Sequence, residues 1–379
     1  MALVTAAIGL IPGYTSIGWF APILLLVLRA GQGAAVGGEA GGSAAFVLEY
    51  APTHRRGWYG GWQYATISFG LAAGLACGGL LSAALSPSDL YNWGWRLAFL
   101  LALPLGMVGL YIRLRLDETP GFQSVQRRGE VSRRPIVETL RSARRHVIIG
   151  FGVVAAVSLT FNVFFVFLPN FIATTERVPL SQALAGALAG LLLTSTLSPV
   201  FGRISDRVGR RPVLIGGVVA LVLLTVPAFS LIQRGRAVPL LVGYGLIGGA
   251  LGTLGLSTFL SELFPTRLRY SGLSLTYGLA SALFGGTAPV LATFMVQRAG
   301  GPFAPAWYAT GVSFVALGCA VLAPETAPRI HATSRGRRMP RALTRTDARQ
   351  PGHIESSQPK PFRHKQRATD ESPSSDDRR

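Results

Sequence analysis

Apolar stretches of membrane-spanning length follow one another along most of this chain of 379 residues. A helix needs about 20 apolar residues to cross the hydrocarbon core of a bilayer. The pattern predicts nine such helices, at residues 19–48, 60–85, 94–113, 147–172, 183–203, 213–232, 237–262, 270–297 and 303–323. One core helix of a soluble protein can be this apolar, but a soluble chain of this length could not shield nine such helices in succession from water. The pattern therefore predicts an all-α membrane protein.

Composition supports this prediction and excludes several other classes. Hydrophobic residues make up 49% of the chain and charged residues only 14%, against roughly a quarter charged in ordinary soluble proteins. Neither a soluble enzyme nor a disordered chain fits these figures. Cys77 and Cys319 both lie in apolar runs, and no phosphate-binding loop or metal-ligand spacing of histidines occurs. We therefore expect no enzymatic activity, no cofactor and no metal.

The formal net charge of +19 is distributed unevenly between the two sides of the predicted membrane. One set of connections holds four arginines, at Arg177, Arg234, Arg236 and Arg298. The other set holds seventeen, at Arg55, Arg56, Arg113, Arg115, Arg127, Arg128, Arg133, Arg134, Arg141, Arg144, Arg145, Arg203, Arg207, Arg210, Arg211, Arg267 and Arg269. Since basic loops stay inside, the second set is predicted to be cytoplasmic. Topology thus explains the charge, and nucleic acid is not expected as a partner.

Residues 329–379 differ from the rest of the chain. They hold 13 basic and 6 acidic residues among Arg, Ser, Pro and Gln, with almost no apolar run. Such a segment cannot bury enough surface to offset its ordering entropy, so we expect a disordered, basic, cytoplasmic tail.

A segment near the start of the chain is repeated about 210 residues later. Glu49-Tyr-Ala-Pro-Thr with Arg56 resembles Glu262-Leu-Phe-Pro-Thr with Arg269, at an offset of 213. A second pair, Asp117-Glu118-Thr-Pro and Pro324-Glu325-Thr, recurs at an offset of 207. Two pairs at nearly equal offsets indicate two homologous halves.

The repeat also predicts four regions and a missing beginning. Residues 1–113 would form a partial N-terminal bundle, 114–146 a cytoplasmic loop, 147–328 a six-helix bundle and 329–379 the tail. The basic loop at 202–211 has no counterpart in the first half, since it would fall before residue 1. We therefore expect the chain to lack about the first two helices of the first bundle.

Several motifs together resemble one family of transporters. The loop motif around Asp206 is similar to the cytoplasmic signature of the major facilitator superfamily. The following residues resemble its metabolite:proton symporter family: Arg29-Ala-Gly-Gln32-Gly33, Gly37-Gly38-Glu39, Trp93-Gly-Trp95-Arg96, Glu118-Thr-Pro-Gly-Phe122 and Phe284-Gly-Gly-Thr-Ala-Pro289. The resemblance implies a two-bundle fold with inverted repeats in the cytoplasmic membrane. It also implies proton-coupled uptake of a small organic acid or zwitterion by alternating access, by a monomer surrounded by lipid.

Two other functions stay open on the sequence alone. One is a sugar- or drug-type carrier of the same superfamily; sugar carriers share the motifs around Glu49 and Glu325 but not Gly37-Gly38-Glu39. A truncated remnant that does not transport would carry the same motifs.

Candidate residues for the substrate and proton pathway lie within the predicted helices. Arg29, Gln32 and Glu39 fall on one face of the first complete helix, where a charge should face the bundle interior or water. In the functional interpretation Arg29 attracts an anionic group and Glu39 carries the proton; alternatively Arg29 satisfies backbone carbonyls or balances Glu39, and Glu39 supports packing. Weaker candidates are the polar residues of other helices, which also suit interhelical hydrogen bonds, namely Gln63, Asn162 and Tyr277.

The resemblance further implies a cytoplasmic gate built from charged residues. These are Glu49, Arg56, Glu118, Asp206, Arg207, Arg210, Glu262, Arg269 and Glu325. In the second half we expect Glu262 and Glu325 to pair with the basic loop, and in the first half Glu49, Arg56 and Glu118 to form a matching but incomplete latch. The alternative is plain solvation of topology-setting charges. Gly202 and Gly209 are expected to permit the tight turn between two helices, while Gly70, Gly74 and Gly78 are expected to face a neighbouring helix.

Overall fold

The computed structural model describes residues 1–115, 123, 126–127, 135–176, 178–299 and 301–327, and these residues are helical with short connections. The long or mutually packed helices are α1 (Ala2–Gly9), α2 (Phe20–Tyr50), α3 (Arg56–Ala84), α4 (Leu90–Arg115), α5 (Arg144–Thr175), α6 (Leu180–Val208), α7 (Arg210–Gln233), α8 (Ala237–Leu263), α9 (Thr266–Arg298) and α10 (Ala304–Leu322). Short helices also occur at Tyr14–Ile17, Pro87–Asp89 and Pro135–Ser142.

Each of the nine predicted spans corresponds to one of these helices. Eight of them, α3 to α10, are long and apolar enough to cross a membrane. The remaining prediction, residues 19–48, corresponds to α2, which is 31 residues long and most apolar over Phe20–Arg29. The chain is therefore a multi-pass membrane protein.

The six helices α5 to α10 pack around a continuous apolar core. Phe164 of α5 meets Phe229 of α7 edge to face at 5.9 Å, and Tyr244 of α8 is fully buried beside Phe165. Helix α8 lies against both α6 and α7, while α10 lies against α5 and α7. Such interdigitated aromatic packing holds these helices together as one bundle.

The first-half helices contact this bundle along two seams: α3 lies along α6, and α2 lies along α9. Glycines make the α3–α6 seam close. A Cβ placed on Gly202 would strike the carbonyl oxygen of Gly57, and one on Gly61 would lie 2.5 Å from the carbonyl oxygen of Ser198. Only glycine permits backbones to approach this closely.

Two expectations about glycines are wrong for the described residues. Gly202 lies inside α6 rather than in a turn, and its role is the close approach to α3. Gly209, with φ at +117°, does form the turn between α6 and α7. A Cβ at Gly70, Gly74 or Gly78 would meet no described atom within 4 Å, so these three glycines face open space rather than a helix.

Several helices depart from regular geometry, among them α4, whose first turn at Leu90–Gly94 is π-helical. Helix α8 breaks at Gly255, whose φ of +60° is left-handed. Helix α5 widens into a π-helical turn at Val163–Phe167, and α9 does so at Ser281–Gly286. The widened turns of α5 and α9 belong to adjacent helices, joined by a hydrogen bond of 3.1 Å between the hydroxyls of Ser158 and Ser281. Such irregular turns are common at functional sites.

Candidate functional site

The predicted gate residues meet at one end of the bundle, called here the charged end, where α3, α7 and α9 begin and α2, α6, α8 and α10 end. Arg210 is the centre of the cluster. Its Nη1 lies 2.8 Å from Asp206 Oδ1, and its Nε donates to Glu262 Oε2 at 3.0 Å. The Arg210 side chain is only 2% exposed. A buried arginine is stable here because the two carboxylates compensate its positive charge, and the guanidinium in turn compensates theirs.

Asp206 also connects the two halves of the molecule. Its two carboxylate oxygens accept the backbone N–H groups of Gly57 at 2.8 Å and Trp58 at 3.0 Å, in the first turn of α3. A helix N-terminus carries free N–H groups and partial positive charge, so a carboxylate is favoured there. The α6 end is thereby attached to α3 across the seam that Gly57 and Gly202 make narrow.

A second connection between the halves is the ion pair of Glu49 with Arg269, 3.0 Å from Oε1 to Nη1. Both side chains are largely buried. The expected first-half latch differs from this arrangement. Glu49 binds Arg269 of the other half rather than Arg56, and the Arg56 Nε has no hydrogen-bond partner within the described ranges. The third expected member, Glu118, lies outside the described residues.

The Glu325 side chain holds the start of α7 by accepting hydrogen bonds from backbone N–H groups of that helix. Its carboxylate accepts the N–H groups of Arg210 at 2.8 Å and Arg211 at 3.2 Å. The Arg211 side chain reaches the last turn of α10, where Nη2 donates to the carbonyl of Val321 at 2.6 Å. The end of α10 is therefore attached to the same cluster. Arg207 makes no ion pair in the part of the chain that the structure describes.

Deeper between the halves, Gln63 of α3 joins three helices. Its amide nitrogen donates to the Ser43 hydroxyl of α2 at 3.0 Å, and its amide oxygen accepts from Ser257 of α8 at 2.6 Å. Tyr277 of α9 and Tyr64 line the adjoining cavity, whose volume is only about 20 Å³. The structure thus brings together two predicted pathway residues, Gln63 and Tyr277. Sequence reasoning missed Ser257, since an isolated hydroxyl in an apolar helix gives no signal of its own.

The remaining pathway candidates lie elsewhere. Arg29 Nη1 donates to Gln32 Oε1 at 3.0 Å, and Gln32 donates to Thr5 of α1 at 2.9 Å. Glu39 is 60% exposed and lies 3.2 Å from the amino group of Met1, so it does not pair with Arg29. Asn162 donates to the Ser158 carbonyl at 2.9 Å and faces Gly285, at the widened turns of α5 and α9.

The sequence matches a model of the Major Facilitator Superfamily at residues 1–196 and 151–366. It is 35% identical to the proline/betaine transporter of Escherichia coli strain K12 over 344 residues, which are 87% of this chain and 68% of that protein. It is 34% identical to the ectoine/proline transporter of Corynebacterium glutamicum, over 83% of this chain and 66% of that protein. A solved structure of a proton:xylose symporter superposes with a TM-score of 0.65 at 18% identity, covering 88% of this chain and 81% of that one.

Proposed function

This chain belongs to the major facilitator superfamily, a superfamily of transporters rather than enzymes, and from that premise we propose that it takes up a small zwitterionic metabolite together with protons. The observation that carries the proposal is the 35% identity, over 87% of the chain, to a carrier whose name gives proline and betaine as its substrates. Both compounds pair a carboxylate with a cationic nitrogen and are small enough for a cleft between two helical bundles.

The pathway we propose runs between the halves and past Gln63. A zwitterion needs one site for its carboxylate and another for its cation. Arg29 lies about 20 Å along α2 from Ser43, the partner of Gln63, so it would attract the carboxylate at an outer point of the route. The rings of Tyr64 and Tyr277 supply faces for the cationic nitrogen beside Gln63, because aromatic faces attract cations. The 20 Å³ cavity at Gln63 is far too small for proline, so substrate would enter only when the halves separate.

The charged end is proposed as the cytoplasmic gate, in its closed state. The excess of arginines at this end favours a cytoplasmic orientation, with the tail on the same side and the protein working as a monomer in the cytoplasmic membrane. Asp206 with the start of α3, and Glu49 with Arg269, close this end. Alternating access requires both contacts to break once per cycle, so that the substrate can leave toward the cytoplasm.

Uptake by purified protein in liposomes tests the proposal. With an inward proton gradient, labelled proline or glycine betaine should accumulate above equilibrium, and a protonophore should remove the accumulation. Xylose serves as the comparison substrate for a sugar carrier. Accumulation of xylose alone would replace the proposed function with that of a sugar carrier, and absence of any uptake would favour the remnant that does not transport.

A further inference from the structure

A cavity of about 370 Å³ opens at the charged end, beside the ion-pair cluster and with Asp206 in common. It lies where α3 begins and α6 ends. The residues that line it are mostly basic, namely His54, Arg55, Trp58, Arg203, Asp206 and Arg207. This volume far exceeds a water molecule and accommodates a phosphate group together with part of its ester.

The positive charges of this cavity are not neutralised by the described residues. Among these residues Asp206 is the only carboxylate that lines the cavity, and both of its oxygens are already bonded to backbone N–H groups of α3, with Oδ1 also paired to Arg210. Neither Arg203 nor Arg207 forms an ion pair within the described ranges. The Arg203 guanidinium instead lies over the Trp58 ring, 5.9 Å from its centroid. The cavity therefore presents guanidinium groups whose geometry suits phosphate oxygens.

Apolar surface continues from the cavity along both helices that form it. On α6, Arg207 and Arg203 are four residues apart on one face, and Val200 on the same face is 45% exposed. On α3, Trp62 follows Trp58 by four residues, packs against it at 5.9 Å and is 51% exposed. Tryptophan is enriched at the boundary between headgroups and acyl chains. A ligand with an anionic head and a hydrocarbon tail would contact both the arginines and the apolar side chains beside them. A free anion would contact only the arginines.

We propose that this cavity binds the phosphate group of an anionic phospholipid, with its acyl chains along Val200 and Trp62. Arg203 and Arg207 contact the phosphate, and Trp58 lies at the level of the glycerol. Bound there, the lipid spans α3 of the first half and α6 of the second, so it favours the state in which these helix ends lie together. This inference is independent of which substrate is carried.

Binding of short-chain lipids to the full-length protein in non-ionic detergent tests the proposal. The probes are dioctanoyl phosphatidylglycerol, dioctanoyl phosphatidylcholine and sodium phosphate, each titrated against the parent protein and against an Arg203→Gln/Arg207→Gln variant. One basic side chain near an anionic surface contributes roughly a fivefold change in affinity. The parent should bind phosphatidylglycerol saturably and more tightly than the other probes, and the double variant should lose roughly 30-fold, the product of two such changes.

Two further variants separate the cavity from general charge and from misfolding. Arg141→Gln/Arg144→Gln removes the same charge from exposed residues of the same end that do not line the cavity, and should stay within about twofold of the parent. Arg203→Lys/Arg207→Lys keeps the charge and should recover most of the affinity. Equal losses in both glutamine variants, or no saturable phosphatidylglycerol binding by the parent, would overturn the proposal. Phosphate binding as tight as that of the lipid, with the same dependence on Arg203 and Arg207, would contradict the lipid and leave a soluble phosphate compound as the ligand.

Discussion

At the scale of single residues, Arg210 controls the charged end because three different chain segments depend on it. Its guanidinium compensates Asp206 and Glu262, its Nη1 also donates to Ser205, and its backbone N–H donates to Glu325. The sequence predicted that Glu262 and Glu325 would pair with the basic loop; Glu262 forms an ion pair with Arg210, and Glu325 accepts the backbone N–H groups of Arg210 and Arg211. The sequence could not predict that Arg210 is buried while Arg207 is exposed, because Arg207 lies in the last turn of α6 and Arg210 begins α7, and the burial of each depends on how these two helices pack against α3 and α8.

Replacing Arg210 with Gln should open the charged end. Breaking a buried ion pair leaves Asp206 and Glu262 uncompensated, which typically costs about 3–5 kcal/mol of folding free energy. A cysteine introduced at Ser257, below the cluster, should then react faster with a membrane-impermeant maleimide applied from the cytoplasmic side, in a background without Cys77 and Cys319. The matched control is Arg144→Gln, an exposed arginine of the same end. Equal labelling rates in the two variants would contradict the role of Arg210 in closure.

At the scale of helices, all nine predicted spans correspond to helices because hydrophobic length is a local property of the chain. The contacts between helices are not local, and the sequence predicted them less well. Gly70, Gly74 and Gly78 have the regular spacing of a packing ridge, but a Cβ there would meet no described atom within 4 Å, whereas Gly57 and Gly61 have the same spacing nearer the start of α3 and lie in the close seam with α6. Whether a glycine contacts a neighbouring helix depends on which face of its own helix packs against that neighbour. The spacing of glycines in the sequence does not show which face that is.

A Val at Gly202 should therefore separate α6 from α3. Its side chain would overlap the Gly57 carbonyl, and overpacking of this kind costs about 1–3 kcal/mol. We expect a lower thermal midpoint in detergent and a loss of uptake. The control is Gly74→Val, where an added Cβ meets no described atom within 4 Å and the midpoint should stay close to that of the parent. The same drop in both variants would mean that β-branching in the helix, rather than the seam, causes the effect.

At the scale of the whole molecule, the repeat predicted two homologous halves but paired their residues within each half. The structure instead joins the halves to each other, since Glu49 of the first half binds Arg269 of the second. The homologous residues Arg56 and Arg269 thus differ in their contacts, since Arg269 forms an ion pair with Glu49 and the Arg56 Nε has no hydrogen-bond partner among the described residues. That asymmetry cannot be read from a sequence repeat, because repeated motifs specify similar local structure rather than the partner across an interface.

Exchanging the charges of Glu49 and Arg269 tests this connection between the halves. Glu49→Arg and Arg269→Glu each place two like charges together in a largely buried site, so each should impair uptake. The double variant restores an opposite-charge pair and should recover part of the activity, with a coupling energy of about 0.5–3 kcal/mol in a double-mutant cycle on stability. Additive effects in that cycle would contradict a direct contact in the working protein.

Coupling of proton movement to the movement of the halves requires a group that takes up and releases a proton, and Glu39 is the candidate. Helix α2 holds two carboxylates in its described part, Glu39 and Glu49, and Glu49 in the last turn is paired with Arg269. Glu39 lies away from the charged end and takes no part in its ion pairs. If its proton drives uptake, Glu39→Gln should abolish accumulation under a proton gradient while exchange of labelled for unlabelled substrate persists, because exchange needs the halves to move but needs no net proton. Combining Glu39→Gln with Gln32→Glu restores a carboxylate on the same face of α2, and some accumulation should return. Accumulation that survives in Glu39→Gln alone would remove Glu39 from the proton pathway, and loss of exchange as well would assign it to structure or to substrate binding.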